Sequence, residues 1–195
     1  MDHVIINNII TDQEQKDILK YVDSQKNKMG TYCKFGQQDK NLIPVSFIDL
    51  GKKDSYPKFI DSIIKRVQDL FALPYSNPNT DYGWAISYGY KGCAVERHRD
   101  PFIKINKSDI SFRMNIIVQN ASSGGKFIFH YKNGDKIIEI PDKALMVFPA
   151  SEIEHSISKN LDKKERVNLS IDAIVPSSFW LNVEKKYARD KGPAG

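Results

Sequence analysis

The chain has 195 residues, 41% of them hydrophobic and 27% charged, with a formal net charge of +5. That length and balance point to one globular domain with a buried core and exclude a chain disordered throughout. The longest apolar runs, such as Ala144-Leu145-Met146-Val147-Phe148, are far too short to cross a bilayer, so no membrane partner is expected. Two cysteines, Cys33 and Cys93, make no disulfide framework, and a reducing, cytoplasmic location is the expectation.

In chain order, the N-terminus does not read as a secretion signal, because Asp2 stands where a basic region would and Asn7-Asn8 interrupt the apolar run. Thr11 or Asp12 caps a helix running to about Lys28, with Ile18, Leu19 and Val22 on one face. A second helix begins near Ser55 with Pro57 in its first turn; Phe59, Ile60, Ile63, Ile64, Val67, Leu70 and Phe71 recur at helical steps, and Pro74 ends it. Between the helices the chain is irregular, with a strand expected at Val45 to Leu50. Residues 30–54 and 101–110 are expected to be entrance loops.

Beyond residue 80 the pattern turns to short strands separated by turn residues. They are expected at 83–90, 111–119, 126–131, 136–140, 143–148, 153–158 and 165–175, with a hairpin at Asn133-Gly134. So many short strands predict a sandwich or barrel, and the two preceding helices would cover one outer sheet face. A short helix is expected around Asn182 to Asp190, before a tail that ends in Gly192-Pro193-Ala194-Gly195. The single domain 1–195 thus divides into a helical support region (1–80), a β core (81–175) and a C-terminal tail (176–195).

Three elements carry chemistry: His98-Arg99-Asp100, His155 and Arg166. A His-x-Asp in a loop just past a strand turns both side chains the same way. Alternation in Ile153-Glu154-His155-Ser156-Ile157 points His155 to the side of Ile153 and Ile157, toward the interior. Two imidazoles and one carboxylate on one face of an octahedron bind iron(II) and leave three positions open. A closed zinc site would need a fourth protein ligand, and neither cysteine has suitable spacing. From Arg166 the strand alternates Arg166, Asn168, Ser170 and Asp172 against Val167, Leu169, Ile171 and Ala173. Either the polar face lies in water, or it lines a barrel mouth where an inward arginine requires an anion such as a carboxylate.

With Tyr88-Gly89-Tyr90-Lys91-Gly92 ahead of His98, Gly124-Gly125, and Leu145-Met146-Val147-Phe148-Pro149 ahead of His155, residues from about 84 to 173 resemble the iron(II)- and 2-oxoglutarate-dependent oxygenases. The resemblance implies a mainly β (α+β) fold, a double-stranded β-helix (jelly-roll) core flanked by two helices. It implies a dioxygenase using Fe(II), 2-oxoglutarate and O2 to hydroxylate an unactivated C–H bond, with release of succinate and CO2. His98, Asp100 and His155 match the catalytic iron ligands, and Arg166 matches the partner of the distal carboxylate of 2-oxoglutarate. Tyr88 resembles a tyrosine that hydrogen-bonds this co-substrate in some members, or else is a packed barrel residue. Asn168 and Ser170 share the face of Arg166 and are further co-substrate candidates. Asn115 and Arg113 line the cavity or lie on the surface.

For the substrate, the prolyl 4-hydroxylase-like branch is the most similar, implying a protein or peptide substrate, although Val95 and Asn168 depart from its usual residues. Small-molecule hydroxylation is the alternative. The alkylation-repair branch closes on Arg-x-Asn-x-Thr/Ser-x-Arg, and Arg166-Val167-Asn168-Leu169-Ser170-Ile171-Asp172 matches it up to Asp172, which reverses the last charge. Scattered basic residues also disfavour a nucleic-acid partner. A metal-binding β-sandwich without turnover is the remaining class.

Overall fold

The computed structural model describes residues 2–31, 43–50, 57–73, 84–100 and 107–188. Strand β1 (Val4–Ile6) precedes helix α1 (Asp12–Gln25), which continues as a short 3-10 turn (Lys26–Lys28). Thr11 caps α1 reciprocally: its hydroxyl accepts from the Glu14 amide, and its own amide donates to the Glu14 carboxylate. Strands β2 (Gly30–Thr31), β3 (Ile43–Pro44) and β4 (Ser46–Asp49) lead to helix α2 (Lys58–Leu70). The expected start of α2 moves, because Pro57 is its N-cap, extended at ψ 139°, and not a first-turn residue; Ser55 lies outside the described residues. Arg66 of α2 pairs with Glu14 of α1 at 2.7 Å and also donates to the Ile9 carbonyl, clamping the two helices together.

The β core follows as β5 (Ala85–Gly89), β6 (Cys93–His98), β7 (Asp109–Gln119), β8 (Phe127–Tyr131), β9 (Gly134–Ile138), β10 (Leu145–Pro149), β11 (His155–Ile157) and β12 (Arg166–Pro176), closed by helix α3 (Ser177–Ala188). A seven-stranded sheet has the order β1-β10-β7-β12-β5-β4-β2, and a five-stranded sheet the order β3-β6-β11-β8-β9. From β5 to β12 the chain crosses between the two sheets at every step but the β8–β9 hairpin, which is the jelly-roll arrangement the sequence resemblance implied.

Several boundaries differ from expectation for identifiable reasons. Residues 93–98 carry no strand periodicity, since their apolar and polar residues do not alternate; pairing with β11 and β3 makes them a strand. His98 is therefore the last residue of a strand. In the β8–β9 hairpin Tyr131 pairs with Gly134, so the turn falls on Lys132-Asn133, and Gly134, at φ +126°, opens the next strand two residues early. Helix α3 starts at Ser177 rather than near Asn182, directly on the end of β12. Of the expected entrance loops, 32–42, 51–54 and 101–106 lie outside the described residues, as does the Gly192-Pro193-Ala194-Gly195 tail; 30–31, 43–44 and 46–49 are strand, and β7 opens at Asp109.

Two apolar cores result, one on each side of the seven-stranded sheet. On its outer side Ile18, Val22, Ile60, Ile63, Ile64 and Val67 of α1 and α2 pack against Ile86, Ile116, Leu169 and Ile171. Between the sheets lie Ile117, Phe127, Phe129, Met146 and Phe148. Burial of one large apolar side chain is worth about 1.5–3 kcal/mol, so both cores hold their strands in register. Because side chains alternate across β7 and β12, Phe112, Met114, Val167, Leu169 and Ile171 take the helix side, and Arg113, Asn115, Arg166, Asn168, Ser170 and Asp172 enter the space between the sheets. No helix among the described residues is long and apolar enough to cross a membrane.

Candidate metal and co-substrate site

Cross-strand register brings the first two groups together. His155 at the start of β11 stands directly opposite His98 at the end of β6, and their ring centroids are 4.4 Å apart. Asp100 follows two residues on, its amide tied to the Ala150 carbonyl at 3.1 Å. Its Oδ1 lies 3.3 Å from His98 Nε2 and 3.8 Å from His155 Nε2. One donor atom from each of the three residues falls within 4.8 Å of the others.

Both rings are oriented for ligation. His98 Nδ1 lies 2.6 Å from the Glu96 carbonyl and His155 Nδ1 lies 2.9 Å from the Ile153 carbonyl. A carbonyl only accepts, so each Nδ1 carries a proton, and each Nε2 faces the space it shares with Asp100 Oδ1, where a metal would take its lone pair. Burial pulls the His155 imidazole down to about 4, against the opposing pull of Asp100, so it is neutral near pH 7. Burial also pulls on His98, but its contact with Asp100 outweighs that and leaves it raised. Asp100 is pushed up by burial and, more strongly, down by the Arg113 guanidinium and the two histidines; it stays well below the usual carboxylate range.

Arg166, 6% exposed, enters a cleft also lined by Asn120, Lys126, Phe127 and Glu139, whose carboxylate pairs with Lys126 at 2.8 Å. Its Nε has no hydrogen-bond partner among the described residues, and burial alone pulls the guanidinium down to about 10. A buried cation without a counter-charge is costly, so the position calls for an anion. Phe127 is the wall shared with the three-ligand cluster, since its ring stacks on His155. Further along β12, the Asn168 amide donates to Ser170 Oγ at 2.8 Å and to Asn115 Oδ1 at 3.4 Å, leaving Asn168 Oδ1 buried without a partner among the described residues. Asn115 and Ser170 face each other across β7 and β12. The polar face of β12 is therefore interior, and the half-exposed alternative does not apply.

Tyr88 is placed elsewhere. It stands opposite Val167, on the helix side of the sheet, where it joins the outer core and donates its hydroxyl to Glu165 at 2.7 Å. Alternation leaves Ser87, opposite Asn168, on the inner face instead. Tyr88 is thus the packed residue of the two readings, because one strand position separates it from the cavity face. Two residues carry more than the sequence assigned them: Arg113, whose β7 parity with Asn115 was the available signal, and Phe127, which only the β8–β11 pairing sets against His155.

No family model and no curated protein matches the sequence. Solved structures do. A prolyl hydroxylase from Trichoplax adhaerens, in complex with a hypoxia inducible factor oxygen degradation domain peptide fragment, matches over 93% of this chain and 86% of its own, with TM-score 0.66 and 12% identity. A Pseudomonas putida prolyl-4-hydroxylase matches over 87% and 90%, with TM-score 0.62 and 10% identity. The non-heme alpha ketoglutarate dependent epimerase SnoN from nogalamycin biosynthesis matches over 90% and 78%, with TM-score 0.61 and 7% identity. At such identities the likeness is one of fold: this chain has the fold of the 2-oxoglutarate- and iron(II)-dependent oxygenases, prolyl hydroxylases among them.

Proposed function

We propose that the chain is an Fe(II)- and 2-oxoglutarate-dependent dioxygenase that hydroxylates an unactivated C–H bond of a protein or peptide, with proline the favoured target, releasing succinate and CO2. One observation carries the reading: two imidazole Nε2 atoms and one carboxylate oxygen converge within 4.8 Å, on the inner face that also holds a buried guanidinium whose Nε has no partner among the described residues. The donor set fits iron(II), since three protein ligands leave three positions open. Arg166 fits one end of a dicarboxylate by paired hydrogen bonds.

His98, Asp100 and His155 would hold the metal, and Arg166 the distal carboxylate of 2-oxoglutarate, with Asn168, Ser170 and Asn115 as nearby hydrogen-bond groups. When bound, the iron and 2-oxoglutarate supply the oxidising chemistry with O2. The chain's own residues do the rest. The Glu96 and Ile153 carbonyls fix both rings, burial keeps His155 unprotonated, and Arg113 keeps Asp100 ionised. Phe127 and Phe148 pack on His155 and exclude water from that side.

The likeness to two prolyl hydroxylases, one with a peptide bound, supports a peptide substrate. The comparable likeness to SnoN supports small-molecule oxidation as the second reading. The test is succinate release by the iron-loaded protein with a panel of peptides containing Pro, Lys, Asn or Asp, each scored by mass spectrometry for one added oxygen. Oxygen on proline, lost with His155→Ala, is the expected result. Oxygen on small molecules alone would move the protein to the second reading, and a rate unchanged by His155→Ala would overturn the ligand assignment.

A further inference from the structure

Arg113 is a cation that neither apolar core requires. It lies on β7 between Phe112 and Met114, which are buried on the helix side, and its own side chain enters the space between the sheets. Asp172 stands directly across from it on β12. Arg113 Nε donates to Asp172 Oδ1, and Nη2 lies 2.8 Å from Asp100 Oδ2. The guanidinium is 12% exposed and both carboxylates 7%, so the three charges are held out of water. Among the described residues Asp100 Oδ2 makes no hydrogen bond, and this ion pair holds it.

We propose that Arg113, anchored by Asp172, is a positioning residue that makes Asp100 a one-oxygen ligand: the guanidinium occupies Oδ2 and leaves Oδ1 alone turned to the two histidines. The inference rests on the reading of His98, Asp100 and His155 as metal ligands. A carboxylate binds a cation through one oxygen or through two. With two imidazoles and one oxygen, three of six octahedral positions stay open. A second oxygen would close one of them and leave too few for a chelating co-substrate and O2 together. Asp172 explains how a cation can stand beside a metal site. Arg113 alone would cancel the charge of Asp100, whereas Arg113 with both carboxylates leaves one net negative charge to receive a divalent ion. In Arg166-Val167-Asn168-Leu169-Ser170-Ile171-Asp172 the last residue therefore anchors an arginine on the neighbouring strand in place of being one.

The test counts water on the metal without turnover, by the proton relaxivity of Mn(II) bound to the whole protein, for wild type, Arg113→Met and His155→Ala. Wild type should hold three waters, and Arg113→Met should lose about one third of the bound-ion relaxivity as Asp100 closes through its second oxygen. Should Arg113→Met fail to fold by circular dichroism, Arg113→Gln, which is neutral and of similar bulk, is read in the same way. Wild-type relaxivity in the folded variant overturns the role of Arg113. Failure of the metal reading looks different: His155→Ala would then bind Mn(II) as wild type does, or wild type would not bind it, and the inference would fall with it.

Discussion

The ring of Phe127 lies nearly parallel to the imidazole of His155, 12° between planes and 5.5 Å between centroids, while Phe127 also lines the cleft that holds Arg166. One apolar side chain thus borders both a ligand candidate and the buried Arg166 guanidinium. Phe127→Ala should cost about 3–5 kcal/mol of stability, as large aromatic deletions in cores do. In the metal-free protein it should also raise the His155 pKa from about 4 toward 6.5, read by NMR titration of the imidazole. An unchanged titration would mean that Phe127 does not keep His155 dry.

That depressed value has a consequence for acid stability. The unfolded chain protonates His155 near 6.5, and the folded chain resists until about pH 4. Its contribution is therefore complete above about pH 6.5 and is lost as pH falls toward 4. Asp172 acts in the opposite direction: burial and nearby Asp100 raise it to about 6 against the pull of Arg113, so its contribution is present below 3.8 and lost as pH rises through about 6. Urea midpoints of metal-free wild type and His155→Gln isolate the histidine. The wild-type midpoint should fall relative to the variant between pH 6.5 and pH 4, and parallel curves would refute the linkage.

Arg166 is expected to set co-substrate affinity. Arg166→Met should raise the KM for 2-oxoglutarate about 10- to 150-fold, the equivalent of about 1.5–3 kcal/mol for a hydrogen bond to a charged group. Arg166→Lys should recover only part of it, because an ammonium lacks the guanidinium fork. Succinate-release kinetics across co-substrate concentration measure both.

The glycine pair is held by its backbone conformation. Gly124 has φ +71°, and a Cβ there would collide with the Lys159 carbonyl oxygen; Gly125 has φ +61°, and a Cβ would stand 3.2 Å from Ala121 Cβ and 3.4 Å from Arg166 Cδ. Gly124→Ala should lower the melting temperature sharply, beyond the roughly 1–2 kcal/mol of a left-handed alanine backbone. Gly125→Ala should carry a similar backbone cost, read as a lower melting temperature.

Tyr88→Phe provides the contrast. Its hydroxyl bonds Glu165 on the helix side, so its loss should cost about 1 kcal/mol of stability and leave the 2-oxoglutarate KM at the wild-type value. A raised KM would place Tyr88 at the co-substrate after all.

The amino-acid order alone determined the helical faces of α1 and α2, seven of the core strands, and the interior direction of His155, because each rests on a period of 3.6 or 2 within a few residues. It also singled out His98, Asp100, His155 and Arg166 as groups needing one another. Tertiary pairing decided what local periodicity does not encode. Strand β6 exists through its partners, and the interior placement of the Arg166-to-Asp172 face follows from helices covering the other side of the sheet. Tyr88 and Ser87 differ by one position, and only the register against β12 tells which of them meets the cavity. The pairing of Arg113 with both Asp100 and Asp172 joins three segments distant along the chain. Such a contact is a property of sheet register, and no single stretch of sequence contains it.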